Sequence, residues 1–447
     1  MLKLAIFTAF ISVGESGRYG AGLPSDGFRR DNSGIKLQEV FAWSKIDYNW
    51  PNVEARDEAI RNGVYVAENN LPLGVAKWKN KLFVTVPRWR SGVPAALNYI
   101  SLDTANATAP LNPYPDWKAN ALPREDETPT ENHTTRLSPF RIKVDPCDRL
   151  WIMDTGLAGI TDNHERIFPS AVVIFDLKTD KLIRRYNLKR SDINGWSSLF
   201  SNIIVDVTKD TCDMAFAYIP DMQGYGLVVY SFAENNSWRV RHNYFNIDPL
   251  KGDLTIGGVS AQSPFGIISV ALGPVKKNGK KLLAQLPIMI SDKGMYFQRF
   301  RTAYFHSLAS TSEFSVSTEV LRNQTLATDP RSYVLFKFEG NKGERAQSSA
   351  SVFDEKRNVL FLGQIQEDLL ACWNPSTKLT PQNVDVVAVD HEKLIFINDI
   401  TIDDDQLWIL SDRMPSFLYK LLNFNEVNYR IFKVSVEESI KGTRCAT

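Results

Sequence analysis

The stretch "FINDITIDDDQLWILSDRMPSF", from Phe396 to Phe417, places a run of acidic residues between two apolar segments. The segments "DITI" and "QLWIL" are typical of strands, and Asp403 to Asp405 lie between them. Aspartate suits a tight turn because its side chain accepts hydrogen bonds from nearby N–H groups and tolerates a left-handed backbone. A calcium loop would need alternating ligands around a central glycine, which this stretch lacks. The stretch therefore predicts a β-hairpin with an acidic turn.

The same hairpin pattern recurs along most of the chain. A small or polar residue precedes an alternating apolar strand, and a polar turn leads into a second apolar strand. The other segments of this kind are "LPLGVAKWKNKLFVTVPRW" from Leu71, "SPFRIKVDPCDRLWIMDTG" from Ser138, "FSNIIVDVTKDTCDMAFAYIPD" from Phe200, "SPFGIISVALGP" from Ser263 and "QSSASVFDEKRNVLFLGQI" from Gln347. Six sheet units at spacings of about 50 to 85 residues predict an all-β fold, a six-bladed β-propeller.

The two ends of the repeat array predict how the ring closes. An isolated strand, "KLQEVFAW" at 36–43, precedes the first unit, and "NYRIFKVSV" at 428–436 ends the last one. Pairing of these N- and C-terminal strands would remove the exposed sheet edges. The one clear helix candidate is 52–63, so a doubly wound enzyme fold is excluded, and a tandem of β-sandwiches is the alternative.

The N-terminus predicts secretion. "MLKLAIFTAFISVGES" has a basic Lys3, a short apolar run and small residues at Gly14 and Ser16, which together are typical of a cleaved signal peptide at 1–16. We expect a flexible segment at 17–35 and one propeller domain at 36–447. No later run is long and apolar enough for a membrane helix. The balance of 52 basic and 51 acidic residues offers no footprint for nucleic acid.

Secretion gives the cysteines and sequons their meaning. Four cysteines in an oxidising compartment predict two disulfides, with three possible connectivities. The N-x-S/T sequons predict glycosylation at Asn106, Asn132, Asn235 and Asn323. The five histidines lack metal-ligand spacing, and neither a nucleophile motif nor a phosphate loop occurs. The sequence therefore predicts neither a metal nor a cofactor.

Several long stretches carry a family resemblance. They include "VFAWSKIDYNWP", "NNLPLGVAKWKNKLFVTVPRWRSGVPAALNYI", "DPCDRLWIMDTG", "FDLKTDKLIRRY", "AFAYIPDMQGYGLVVYS", "SWRVRHNYFNIDPLKGD" and "LWILSDRMPSF". The chain resembles the insect yellow and major royal jelly protein family over nearly its whole mature length. This resemblance implies a secreted six-bladed propeller, in agreement with the repeats.

The family resemblance leaves three functions open, because members of one fold family differ in function. Some members act in cuticle pigmentation and melanin formation, and some salivary members bind biogenic amines in the central channel. The first hypothesis is a channel that binds a small aromatic amine or catechol. The second is a dopachrome-converting isomerase, which needs an acid and a base but no cofactor. The third is a structural or nutritional protein without a ligand.

Two further expectations follow from the resemblance and the repeats. Pairs between neighbouring repeats, Cys147 with Cys212 and Cys372 with Cys445, are the easiest of the three connectivities. The apolar segment 281–300 matches no repeat and interrupts the family pattern. We expect it to be an inserted surface loop with poor order, or an error of the gene model.

Candidate ligand-binding residues occupy two kinds of position in the repeats. In a propeller the innermost strands line the channel, so residues at their start face one opening. Those of interest are Arg141, Asn202, Phe265 and Asn398. The carboxylates Asp154, Asp221 and Asp412 recur at the end of the second strand, where they would face that opening together. The alternative is that they are structural hydrogen-bonding residues, with Arg88 and Arg141 as partners. The catalytic residues of an enzyme are not predicted.

Overall fold

Six four-stranded antiparallel sheets are arranged as the blades of a propeller, as predicted. The structure is a computed structural model that describes residues 37–122, 138–162, 165–275, 288–291, 294–297 and 300–446. The expected signal peptide at 1–16, the expected flexible segment at 17–35 and the sequon at Asn132 lie outside the described residues.

Each blade is a meander whose first strand is innermost. The strands of blade one are Val75–Trp78, Lys81–Thr85, Leu97–Ser101 and Asn112–Pro113. Those of blade two are Pro139–Val144, Arg149–Asp154, Ala171–Asp176 and Lys181–Asn187. Those of blade three are Ile204–Asp206, Phe216–Asp221, Gly226–Ser231 and Asn236–Val240. The first strands contact one another around a central channel.

The remaining blades follow the same plan. Blade four comprises Ile267–Leu272, Thr302–Ser307, Ser312–Ser317 and Lys337–Asn341. Blade five comprises Ser348–Asp354, Val359–Gln364, Leu369–Trp373 and Val384–Val389. Blade six comprises Phe396–Asp403, Gln406–Asp412, Tyr429–Ser435 and, as its outermost strand, Gln38–Trp43. The predicted pairing of the N- and C-terminal strands is therefore confirmed, with Phe41 opposite Ile431.

The hairpin turn of blade six is also as predicted. Asp403 pairs with Gln406, and the two residues between them, Asp404 and Asp405, have φ angles of 47° and 62°. Two consecutive left-handed residues are the geometry of a tight hairpin turn, which aspartate tolerates better than most residues. The acidic run is thus turn chemistry, and Asp405 in addition pairs with Arg357 at 2.6 Å.

Strands that are apolar throughout are buried on both faces. In the second strand of blade two, Leu150 and Ile152 pack towards blade one, while Trp151 and Met153 pack towards blade three. Successive side chains of a strand point to opposite faces, so a strand between two blades needs apolar residues at every position. This is why "LWIM" shows no polar alternation.

Short helices and two-stranded hairpins lie in the segments that connect or follow the blade strands. The predicted helix is Val53–Arg61, where Asn52 accepts a hydrogen bond from Ala55 N at 2.8 Å. The others are Trp117–Asn120, Thr318–Arg322, Gln324–Thr328, Met414–Tyr419 and Val436–Ile440. Two-stranded ribbons pair Leu157–Ala158 with Glu165–Arg166 and Asp253–Ile256 with Val259–Gln262. No helix within the described ranges combines the length and the apolar character needed to cross a membrane.

The segment 281–300 lies largely outside the described residues. Its described parts, Ile288–Ser291 and Gly294–Phe297, pair as an antiparallel hairpin. This hairpin belongs to none of the six blades, and the inserted loop at 281–300 stays a prediction.

Candidate functional site

The central channel is divided by one buried arginine. Arg141 lies on the innermost strand of blade two and is 2% exposed. Its Nε donates to the backbone oxygen of Asn398 at 2.9 Å, and its Nη2 donates to that of Ser349 at 3.1 Å. Its Nη1 reaches the backbone oxygen of Ser201 at 3.5 Å. The acceptors belong to three other parts of the ring, so the guanidinium crosses the axis and separates an upper pocket from a lower cavity.

The upper pocket is small and aromatic. It has a volume of about 50 Å³ and is lined by Leu73, Trp89, Phe140, Met222, Phe265, Ile268, Leu308, Phe396, Met414 and Leu418, with Arg141, Ser201 and Asn398 as its polar residues. The rings of Trp89 and Phe140 lie with their centroids 4.9 Å apart. The indole Nε1 of Trp89 is buried and has no hydrogen-bond partner among the described residues. A buried donor without an acceptor is uncommon, because its desolvation is uncompensated.

Asp412 lies behind Asn398, outside the residues that line the pocket. Asn398 Nδ2 donates to Asp412 Oδ2 at 2.7 Å, and Met414 N donates to Asp412 Oδ1 at 2.8 Å. Burial raises the pKa of Asp412 to about 7, and the two hydrogen bonds and the charge of Arg141 oppose this rise only in part. Asp412 can therefore hold or release a proton near neutral pH.

Asp154 and Asp221 are held inside their own blades. Asp154 Oδ1 accepts from Ser138 N at 2.9 Å and from Gly156 N at 3.1 Å. Asp221 Oδ1 accepts from Leu199 N at 2.8 Å and from Gly224 N at 2.9 Å. Each carboxylate thus ties the segment before the first strand to the loop after the second. We call this arrangement the blade corner.

The cation at the blade corner differs between blades. Arg185 lies 2.9 Å from Asp154, and Arg239 lies 2.8 Å from Asp221. Both arginines belong to the fourth strand of their blade. In the strand register, each lies in the same row across the sheet as the residue two positions before its aspartate. In blade six the same register position is occupied by Phe41. Asp412 has the backbone contact of a blade corner without its arginine, which explains why burial dominates its pKa.

The lower cavity lies on the side of Arg141 that carries the hairpin turns. Its volume is about 550 Å³, and its lining includes Lys143, Asn202, Ser351, Asp399 and Thr401. Asn202 Oδ1 accepts a hydrogen bond from Ile203 N at 2.8 Å. The predicted ligand residues are therefore divided among several places. Phe265, Arg141 and Asn398 line the upper pocket, Asn202 lines the lower cavity, and the three aspartates line neither.

Sequence reasoning missed the aromatic wall of the upper pocket. Trp89 follows Arg88, a predicted partner of the aspartates, and Phe140 precedes Arg141. Arg88 in fact donates to the backbone oxygens of Val93 and Asn120. An aromatic residue beside a position predicted to face the channel was the available signal. The helix Met414–Tyr419, which supplies Met414 and Leu418, is too short for a periodic pattern.

The disulfides have the expected pairing. Cys147 is bonded to Cys212, and Cys372 to Cys445, each across neighbouring blades. The sequon residues Asn106, Asn235 and Asn323 are exposed. These sites are therefore accessible on the surface of the folded chain.

The fold places the chain in the class of six-bladed β-propellers, here with a channel that Arg141 divides. Comparison with known proteins identifies the family. The profile of the family described as "Major royal jelly protein" matches residues 137–285 and 289–445. The chain is 39% identical to "Protein yellow" of Drosophila melanogaster over 414 residues, which is 92% of this chain and 71% of the relative. The same identity holds for "Protein yellow" of Drosophila subobscura, over 92% of this chain and 67% of the relative. The chain belongs to the yellow and major royal jelly protein family.

A solved structure from Bacteroides thetaiotaomicron, described as a structural genomics protein of unknown function, has a TM-score of 0.44 and 9% identity. The match covers 89% of this chain and 76% of the solved chain.

Proposed function

We propose that this chain is a secreted yellow-family protein of pigmentation or cuticle biology whose upper pocket binds a small catechol or aromatic amine. Membership of the family supports the biological setting. Secretion is supported by the two disulfides, which persist in oxidising compartments, and by the exposed sequons.

The observation that most supports a ligand in the upper pocket is the indole N–H of Trp89, which is buried in an aromatic pocket without an acceptor among the described residues. A catechol offers a flat ring to Phe140 and Phe265, and one of its oxygens can accept from Trp89 Nε1 at the edge of the indole. An aromatic pair adds about 0.5–1.5 kcal/mol beyond the apolar area that it buries. Satisfying the orphaned donor removes a further unfavourable contribution from the free protein.

Charge and size decide how such a ligand would lie. Arg141 places a positive charge at the floor, and its nearest carboxylate, Asp399, is 3.7 Å away. The ammonium of an amine would be repelled there, so the catechol oxygens face the floor and the amine points away from it. A pocket of about 50 Å³ is too small for a catechol ring, so lining side chains have to move on binding, and we expect Met414 to be one of them. Methionine adapts readily because it is unbranched.

Titration calorimetry with dopamine, serotonin and catechol tests this proposal. We expect dopamine to bind about fivefold more weakly to Trp89→Phe, which keeps a ring but loses the N–H, in line with about 1 kcal/mol for one hydrogen bond. Tyr333→Phe, at a side chain that is 65% exposed, is the matched control and should bind as the wild type does. No heat beyond dilution for all three compounds would overturn the proposal and leave a structural or nutritional role.

A dopachrome-converting isomerase is the second candidate, favoured by the pKa of about 7 at Asp412. A general acid or base works best when its pKa is near the working pH. Asp412 does not line the pocket and is bonded to the amide of Asn398, so Asn398 would have to move aside before Asp412 could exchange a proton with a substrate. Decay of dopachrome should then be faster with the wild-type protein than with Asp412→Ala. Equal rates for both proteins and for buffer would remove this candidate.

A further inference from the structure

Lys143 is half-buried in the lower cavity and makes few polar contacts there. It follows Arg141 by two residues on the same strand, so both side chains face the channel. Its described hydrogen bond is to Thr401 Oγ1, at a long 3.4 Å. An ammonium group carries three donors. Among the described residues, no carboxylate oxygen lies within 4.0 Å of its Nζ.

The acidic residues of the same cavity are already engaged. Three of the four lining carboxylates are paired closely with an arginine: Asp145 with Arg149 at 2.7 Å, Asp354 with Arg357 at 3.2 Å and Glu355 with Arg301 at 2.5 Å. The fourth, Asp399, lies 3.7 Å from Arg141. Asp399 also accepts from Val75 N and Ile400 N, each at 2.9 Å. Asp399 therefore offsets the charge of Lys143 only in part: it acts from beyond 4.0 Å and is shared with Arg141 and two backbone N–H groups.

Two further lysines line the cavity at its open end. Lys209 is exposed, and Lys356, whose side chain is 71% exposed, lies 3.8 Å from Asp405. Arg357 is shared between Asp354 and Asp405, so Asp405 compensates part of the charge of Lys356. The five carboxylates of the cavity and its rim, with Asp405 included, are matched by four arginines, so the three lysines Lys143, Lys209 and Lys356 leave an excess of positive charge that attracts anions.

The walls of the cavity specify more than charge. Val75, Ile142, Val270 and Ile400 are apolar and surround the channel above Lys209 and Lys356. A volume of about 550 Å³ falls within the range of sites that take small organic molecules. We propose that the lower cavity binds a small organic anion, a carboxylate with an apolar body, whose charged group meets Lys143 and the Thr401 hydroxyl.

Binding of phenylacetate, compared with its neutral analogue phenylacetamide, tests the proposal by calorimetry on the full chain. We expect phenylacetate to bind and phenylacetamide to bind at least tenfold more weakly. Lys143→Met keeps an unbranched apolar side chain and removes the charge, and it should weaken phenylacetate about tenfold, which corresponds to about 1.4 kcal/mol. Lys118→Met, at an exposed lysine that does not line the cavity, should leave the affinity unchanged.

Several outcomes would overturn the anion site. They are no binding of phenylacetate, equal binding of the two compounds, and equal affinity for the wild type and Lys143→Met. A thermal melt shows whether Lys143→Met folds, and the comparison of the two compounds on the wild type stands even if it does not. The test is separate from that of the upper pocket. Trp89→Phe should leave the affinity for phenylacetate unchanged. If this variant loses phenylacetate binding and Lys143→Met does not, the anion binds in the upper pocket and the proposal is wrong.

Discussion

Asp412 has the same position in its blade as Asp154 and Asp221, and a single neighbouring residue sets its chemistry apart. The arginine found beside the other two is replaced in register by Phe41, whose apolar ring is 2% exposed. A carboxylate without a cation in a dry site favours its protonated form. A structural position of the repeat thereby becomes a group that titrates near neutral pH.

Asp412 is expected to make the stability of the protein depend on pH. Its pKa is about 7 in the folded chain, against 3.8 for an ordinary aspartate in water. The folded state therefore binds the proton more tightly, and the stabilisation present below about pH 4 is lost as the pH rises towards 7. The loss is at most about 4 kcal/mol. Asparagine cannot ionise, so the Asp412→Asn variant does not share this loss. The melting temperature of the variant minus that of the wild type should therefore be larger at pH 8 than at pH 5.

The matched control for this prediction is Asp404→Asn. Asp404 lies in a hairpin turn with its side chain 89% exposed, and asparagine tolerates its left-handed backbone. The difference in melting temperature between this variant and the wild type should be the same at both pH values. A constant difference for Asp412→Asn as well would show that Asp412 does not titrate in this window.

Local features of single residues could be predicted from the sequence, whereas contacts across the channel could not. The turn at Asp404 and Asp405 follows from the residues on either side of it, and so does the helix cap at Asn52. The place of Arg141 follows from carbonyl groups of Ser201, Ser349 and Asn398, which meet only when the ring closes. The replacement of an arginine by Phe41 required the strand register, because Phe41 and Asp412 lie at opposite ends of the chain.

At the scale of structural elements, the blade corner is the device that fixes a blade. In blade three, Asp221 joins the backbone at Leu199 and Gly224, and Arg239 Nη1 donates to Asp221 Oδ2 at 2.8 Å. Arg239 Nη2 also donates to the backbone oxygen of Gly224 at 2.7 Å. The corner thus connects the first, second and fourth strands, which are not all adjacent in the sheet.

Removal of the arginine should destabilise blade three strongly. Arg239→Met leaves the carboxylate of Asp221 buried without its cation, since the two side chains are 3% and 0% exposed. Loss of one partner of a buried ion pair costs about 3–5 kcal/mol. We expect a corresponding fall in the midpoint of urea unfolding.

Arg241→Met provides the control for this substitution. Arg241 is an exposed arginine two residues further along the chain, and its loss should change the free energy of unfolding by no more than about 0.5 kcal/mol. The double variant Asp221→Asn/Arg239→Met should recover part of the loss, because no buried charge remains. If Arg239→Met and Arg241→Met unfold at the same urea concentration, the blade corner does not contribute to stability.

At the scale of the whole molecule, the ring depends on one strand from the start of the chain. Gln38–Trp43 covers the edge of Tyr429–Ser435. Trp43 Nε1 also donates to the backbone oxygen of Ala109 at 2.9 Å. This hydrogen bond joins the closing strand to the segment after the third strand of blade one. The bond between Cys372 and Cys445 ties the chain just after blade six to blade five. Closure therefore involves both ends of the chain.

Loss of the closing strand should open the ring. A chain that begins at Ser44 lacks Phe41 and Trp43, which are 2% and 4% exposed, and burial of each such side chain contributes about 1.5–3 kcal/mol. It also leaves the strand Tyr429–Ser435 as a bare edge, which can pair with another copy. A chain that begins at Leu37 keeps the strand and is the control. We expect the shorter chain to melt at a lower temperature and to elute from a sizing column as dimers or larger species, while the control stays monomeric at the same concentration. Equal melting temperatures and equal elution for the two chains would mean that the remaining strands close the ring without Gln38–Trp43.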